Sequence, residues 1–84
     1  MKHHAASAFW DAYAILPRAV QRQADVNFRR LKSDPFHPSL HFKQVGRYWS
    51  VRIGRTYRAV AVRKDDDLVW FWIGTHAEYD KLIG

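Results

Sequence analysis

The 84-residue chain contains no cysteine, one methionine, three prolines and four glycines, and no apolar run long enough to span a membrane. Without cysteine there are neither disulfides nor thiolate zinc sites, and the fold must be held by burial alone. Met1-Lys2-His3-His4 is too short for a purification tag and does not resemble a secretory leader. It is therefore kept in the folded chain, and a cytoplasmic location with no membrane partner is expected. Scarce glycine and proline leave no linker, repeat or low-complexity tract, so residues 1–84 are expected to form a single domain. Acidic residues are also missing from one long stretch. Between Lys43 and Lys64 stand Lys43, Arg47, Arg52, Arg55, Arg58, Arg63 and Lys64, with no Asp or Glu.

Thirteen aromatics, four of them Trp, are what the chain has in abundance. Each can bury about 150–250 Å², enough for a small two-layer domain to fold without a structural metal. Formal net charge is +6, concentrated in the acid-free segment, while residues 65–84 hold five acids against Lys81 alone. Such a field attracts polyanions or an acidic protein partner. A merely solvated basic surface is the competing explanation.

The first half reads as helical. Ser7 is a plausible N-cap, Phe9, Tyr13 and Leu16 share one face, and Pro17 suits the first position of a second helix. In that helix Val20, Ala24, Phe28 and Leu31 continue the apolar stripe, and Ser33-Asp34-Pro35 ends it. Pro38 is expected to keep the next stretch extended. The periodicity then becomes alternating, with strands near 40–45, 48–53, 57–63 and 68–74 and hairpin-length connections. That pattern predicts an antiparallel meander. Trp49, Val51 and Ile53 should face one side, and Tyr48, Ser50 and Arg52 the other; the last strand, apolar on both faces, should be the most buried. Ala77 to Ile83 is long enough for a short closing helix. The expected class is α+β: a two-layer domain, with an N-terminal helical hairpin packed on one face of a four-stranded antiparallel sheet.

Four segments in this order carry a resemblance. They are Asp34-Pro35-Phe36-His37-Pro38-Ser39-Leu40-His41, Tyr48-Trp49-Ser50-Val51-Arg52-Ile53-Gly54, Tyr57-Arg58-Ala59-Val60, and Ile73-Gly74-Thr75-His76 with Tyr79. Together they resemble the RelE/ParE superfamily, the toxins of bacterial type II toxin–antitoxin systems. The resemblance implies the same helical pair on an antiparallel sheet, and a first strand that Lys2 to Ala6 would supply as a fifth. It implies a cognate acidic antitoxin as partner, and DNA only through the toxin–antitoxin complex. It also implies one of two activities: metal-independent cleavage of messenger RNA on the ribosome, or inhibition of DNA gyrase without catalysis. An inactive, partner-binding member is a third reading.

For the ribonuclease branch, Arg58 matches the family's strand arginine, Arg52 a second basic position, His76 the histidine after the last strand, and Tyr79 the aromatic that follows. The chemistry requires a base for the 2′-hydroxyl, an acid for the leaving 5′-oxygen and positive charge for the phosphorane-like state, with no metal or other cofactor. Histidine suits acid or base, which makes His76 the first candidate and His41 the second. Arginine suits the charge. Arg58 is expected to stabilise the transition state, Arg52 and Lys43 to hold substrate, and Tyr79 to stack on a base or bond the phosphate. Each residue has a plainer reading: His37 packs a turn, His41 is an exposed strand residue, His76 is a C-cap or surface histidine, and the arginines bridge carboxylates. A zinc site from His37 and His41 is disfavoured, because Pro38 blocks the helix that would align them. The strand glutamate and lysine cluster of some ribonuclease members have no counterpart beyond Lys43.

Overall fold

The computed structural model describes residues 2–84; Met1 lies outside them. Strand β1 (His3–Ala5) leads into helices α1 (Ser7–Ala14) and α2 (Arg18–Ser33). A 3-10 turn (Pro38–Leu40) precedes β2 (Lys43–Val45), β3 (Tyr48–Ile53), β4 (Tyr57–Lys64) and β5 (Asp67–Thr75), and α3 (His76–Ile83) follows directly. The five strands form one sheet in the order β1-β5-β4-β3-β2. From β2 to β5 it is the antiparallel meander read from the sequence. The N-terminal strand is present, but it lies parallel to β5, so the sheet is mixed rather than wholly antiparallel.

Every residue of the expected helical stripe reaches the core: Phe9, Ala24 and Leu31 are buried, and Tyr13, Leu16, Val20 and Phe28 pack against them. The sheet answers with Val51, Ile53, Ala59, Ala61, Leu68, Trp70 and Ile73, with Trp49 beside them. Strict alternation would put Trp70 and Ile73 on opposite faces. A register shift opposite Val60 and Ala61 resolves this, because Val60 pairs with Trp72 and Ala61 with Trp70, leaving Phe71 as the extra residue of a bulge. Asn27, buried on α2, donates from its side-chain amide to the Arg52 carbonyl at 2.8 Å and locks the helical layer to β3. In β5 the helix-facing residues are buried while Val69, Phe71 and Trp72 are half-buried on the other face. No residue of β5 is exposed, whereas β4, the central strand of the sheet, ends in two exposed residues.

Three local expectations are corrected. The N-cap of α1 is Ala6, not Ser7, and no side chain caps it. The Ala6 amide still donates to the Trp70 carbonyl at 2.9 Å, so strand pairing runs up to the helix and Ser7 becomes its first residue. Pro17 sits at the N-cap of α2, one position before the first helical residue. Pro38 starts a 3-10 turn rather than an extended stretch, since its fixed φ suits a first helical position and the His37 imidazole accepts the Ser39 amide at 3.2 Å. The strand expected from residue 40 therefore begins at Lys43.

Candidate functional site

Strand register decides which side chains meet on the face away from α1 and α2. Arg52 is the direct cross-strand partner of Arg58, and Arg58 of Gly74. The adjoining row holds Lys43, Ser50 and Val60. Like charges opposite one another destabilise a sheet, so a facing Arg52–Arg58 pair calls for a reason other than stability. Neither guanidinium has a carboxylate within ion-pair distance among the described residues. The three ion pairs found there are His4–Asp67, Arg63–Asp66 and His76–Asp80. The plainer reading of these arginines as carboxylate bridges therefore has no support.

Backbone carbonyls aim both side chains. Arg52 Nε donates to the Gly54 carbonyl at 2.9 Å, and Arg58 donates to the Tyr57 carbonyl at 3.0 Å. Burial first, and then the positive charge of Arg52, push the Arg58 pKa below the ordinary arginine value, while Tyr79 and Asp80 act the other way. The group stays charged. Arg52 also reaches Nε2 of His41 at 3.5 Å. Arginine can only donate, so a hydrogen bond here uses His41 Nε2 as the acceptor. His41 closes the 3-10 turn in the left-handed region, φ 45°, an uncommon conformation in which histidine is enriched.

The opposite flank is built by α3, which lies over this face. The Tyr79 hydroxyl donates to Ser50 Oγ at 3.3 Å in a buried contact, and Val60 beside Ser50 is buried too. Tyr79 is thus a pillar between helix and sheet, with 8% of its surface exposed. His76 is exposed at the start of α3, its ring 5.9 Å from that of Tyr79, and its Nδ1 lies 3.2 Å from Asp80 Oδ2. Lys43 is exposed on β2, in the row next to the arginines.

The structure thus gathers Arg52, Arg58, His41, His76, Tyr79 and Lys43 around one sheet face. His37 caps the 3-10 turn instead. Sequence reasoning missed Asp80 and Gly74. The spacing of His76 and Asp80, four residues apart on a helix, was the available signal for the first. Gly74 has no room for a side chain: a Cβ there would stand 2.8 Å from Trp72 Cη2 and 3.1 Å from Glu78 Oε1. Glycine thereby lets the Trp72 indole and the Glu78 carboxylate lie close against the backbone beside Arg58. The concavities found lie towards the helical layer, lined by residues such as Phe9, Trp10 and Phe28, or Leu31, Phe42 and Trp49. No group of three or more His, Asp or Glu among the described residues is placed to hold a metal ion, and no described helix is long and apolar enough to cross a membrane.

Comparison with solved structures returns the same architecture. The RelE toxin of the RelB-RelE antitoxin–toxin complex from Methanococcus jannaschii superposes with a TM-score of 0.73 at 12% identity, covering 96% of this chain and 99% of that one. YafQ from E. coli strain BL21(DE3) gives 0.69 at 13%, covering 93% and 96%. The YoeB/ParE toxin from Agrobacterium tumefaciens gives 0.66 at 21%, covering 90% and 99%. At such identities the likeness concerns the fold. No curated protein sequence matches. The ParE-like toxin domain, however, matches residues 18–81, three quarters of the chain, running from α2 into α3 and including every one of these site residues. The chain belongs to the ParE-like toxin domain family, within the RelE/ParE superfamily of toxins.

Proposed function

We propose that this toxin is a metal-independent endoribonuclease that cleaves messenger RNA, on the ribosome, and so inhibits translation. The observation that carries the reading is the facing Arg52–Arg58 pair, without carboxylate partners and flanked by His41 on one side and His76 on the other. Two arginines at directly paired positions of adjacent strands suit a phosphodiester passing through a state of higher negative charge. Arg58 supplies transition-state charge, and Arg52 and Lys43 hold the strand. His76 and His41 share the acid and base roles. One imidazole takes the proton of the 2′-hydroxyl as its oxygen bonds to phosphorus; the P–O5′ bond breaks, and the 5′-oxygen takes a proton from the other imidazole or from water. Tyr79, being buried, serves by holding α3 in place.

The partner proposed is a cognate antitoxin with an acidic segment that folds over the basic face and occupies it. The complex of the archaeal neighbour is the supporting precedent. DNA contact is assigned to the toxin–antitoxin complex alone. A gyrase-inhibiting reading draws on a different surface, since Arg18, Arg22 and Arg29 are exposed along α2. Expression without the partner, followed by pulse labelling, separates the two. Protein synthesis is expected to fall before DNA synthesis, and cut RNA should carry 2′,3′-cyclic or 3′-phosphate ends in the presence of chelator. Replication stopping first would transfer the reading to the α2 surface.

A further inference from the structure

Helix α3 begins where β5 ends, with no residue between, so the sheet sets the direction of its first turn. Thr75 caps it reciprocally: its hydroxyl accepts the Glu78 amide at 3.2 Å, and the Glu78 carboxylate accepts the Thr75 amide at 3.0 Å. The His76 amide also donates to the Thr56 carbonyl at 2.7 Å, tying the turn to the β3–β4 hairpin. The backbone of His76 is held from two sides, and rotation of its ring is the freedom that remains. Asp80, one helical turn further on, meets that ring at Nδ1.

We propose that Asp80 is a positioning residue for His76, accepting a hydrogen bond from Nδ1–H, fixing the ring and leaving Nε2 unprotonated to act as the base. An ionised carboxylate can only accept, so the proton of the contact belongs to Nδ1. The bond made by one ring nitrogen settles which of the two carries the proton. Asp80, which meets the His76 ring, also favours the charged form of Arg58 as the smallest of the influences on that group. The assignment of the base rests on the ribonuclease reading; the orientation of the ring does not. An ordinary surface pair four apart on a helix would do no more than steady α3 by a small amount.

Nitrogen-15 spectra of the imidazole in the full chain, with single-turnover cleavage and RNA binding, compare the wild type with Asp80→Ala and Asp80→Asn. In the wild type the neutral ring should carry its proton on Nδ1. In Asp80→Ala it should shift towards Nε2, cleavage should fall about 10- to 100-fold, as when a histidine loses its orienting partner, and binding should hold or tighten because a negative charge has gone. Asp80→Asn, which keeps an acceptor oxygen, should lie between the two. An unchanged tautomer in Asp80→Ala, or a changed tautomer with undiminished cleavage, overturns the proposal. A wild-type chain that cleaves no RNA overturns the ribonuclease reading instead, and the ring spectra alone then decide whether Asp80 orients His76.

Discussion

Arg58 and Arg52 face each other across two strands, yet the ribonuclease reading asks different things of them. Arg58 acts on charge that develops during the reaction, and losing one such donor commonly costs about 100- to 1000-fold in rate. Arg52 holds substrate and Arg58 has the more central strand. Arg58→Ala should therefore lower single-turnover cleavage by that amount, while Arg52→Ala should weaken binding more than it slows the bound complex. Equal losses in both parameters for the two variants would make the pair one undivided binding site. Gly74 can be tested without touching charge. Gly74→Ala forces the Trp72 indole or Glu78 to move, and overpacking of this kind costs about 1–3 kcal/mol. Its thermal melt should drop accordingly, and a variant as stable as the wild type would show that Trp72 swings aside freely.

Among the elements, β1 shows where sequence reasoning reaches its limit. Its three residues, His3–Ala5, include no β-branched side chain, and the pairing with β5 depends on partners more than sixty positions away. Trp70 Nε1 donates to His3 Nδ1 at 3.0 Å, and His4 meets Asp67 at 3.1 Å. Nothing in the local composition announces such contacts, and only the family resemblance suggested a strand there. The helical stripe was legible because seven apolar positions repeat at one period, and β3 because its alternation is regular. The 3-10 turn was not, because Pro38 serves an extended strand and a helix start equally well. Asp80 escaped notice for want of a fixed helix start, which the Thr75–Glu78 cap supplies.

His3 also gives β1 a pH dependence. Burial, and next the charge of Lys32, lower its pKa, so the folded chain prefers the neutral ring that the Trp70 bond requires. A histidine whose folded value is depressed contributes stability that is complete above the ordinary value, about 6.5, and is lost as pH falls through the lower folded value. Melting temperature should thus decline in mild acid, and His3→Gln, which keeps an acceptor for Trp70 but does not titrate, should flatten that decline. An unaltered slope would remove His3 from the account. Asp67, whose pKa is lowered by its bonds from His4 and the Lys2 amide, adds a separate loss in the carboxylate range.

At the scale of the molecule, the distribution of charge matters more than the total of +6. Arg63 is the one lysine or arginine with a carboxylate at ion-pair distance among the described residues, so the rest of the basic side chains are available to a polyanion. Affinity for single-stranded RNA should fall linearly on logarithmic axes with salt, by about 0.7 for each phosphate neutralised. Lys43→Ala and Arg52→Ala should each reduce the slope by about that much, whereas Arg18→Ala should leave it unchanged. The reverse pattern would move the RNA to α2.

The facing arginines have one more consequence. Two like charges held together by strand pairing make the empty protein less stable than its packing alone would allow. Any anionic group that settles between them removes that penalty only in the folded state, and the gain follows from mass action as RT ln(1 + [L]/Kd). Folding and occupancy thereby become one equilibrium. On the ribonuclease reading, RNA and an acidic antitoxin segment would compete for the relief of the same repulsion, and the melting temperature of the chain would gauge how fully its sheet is occupied.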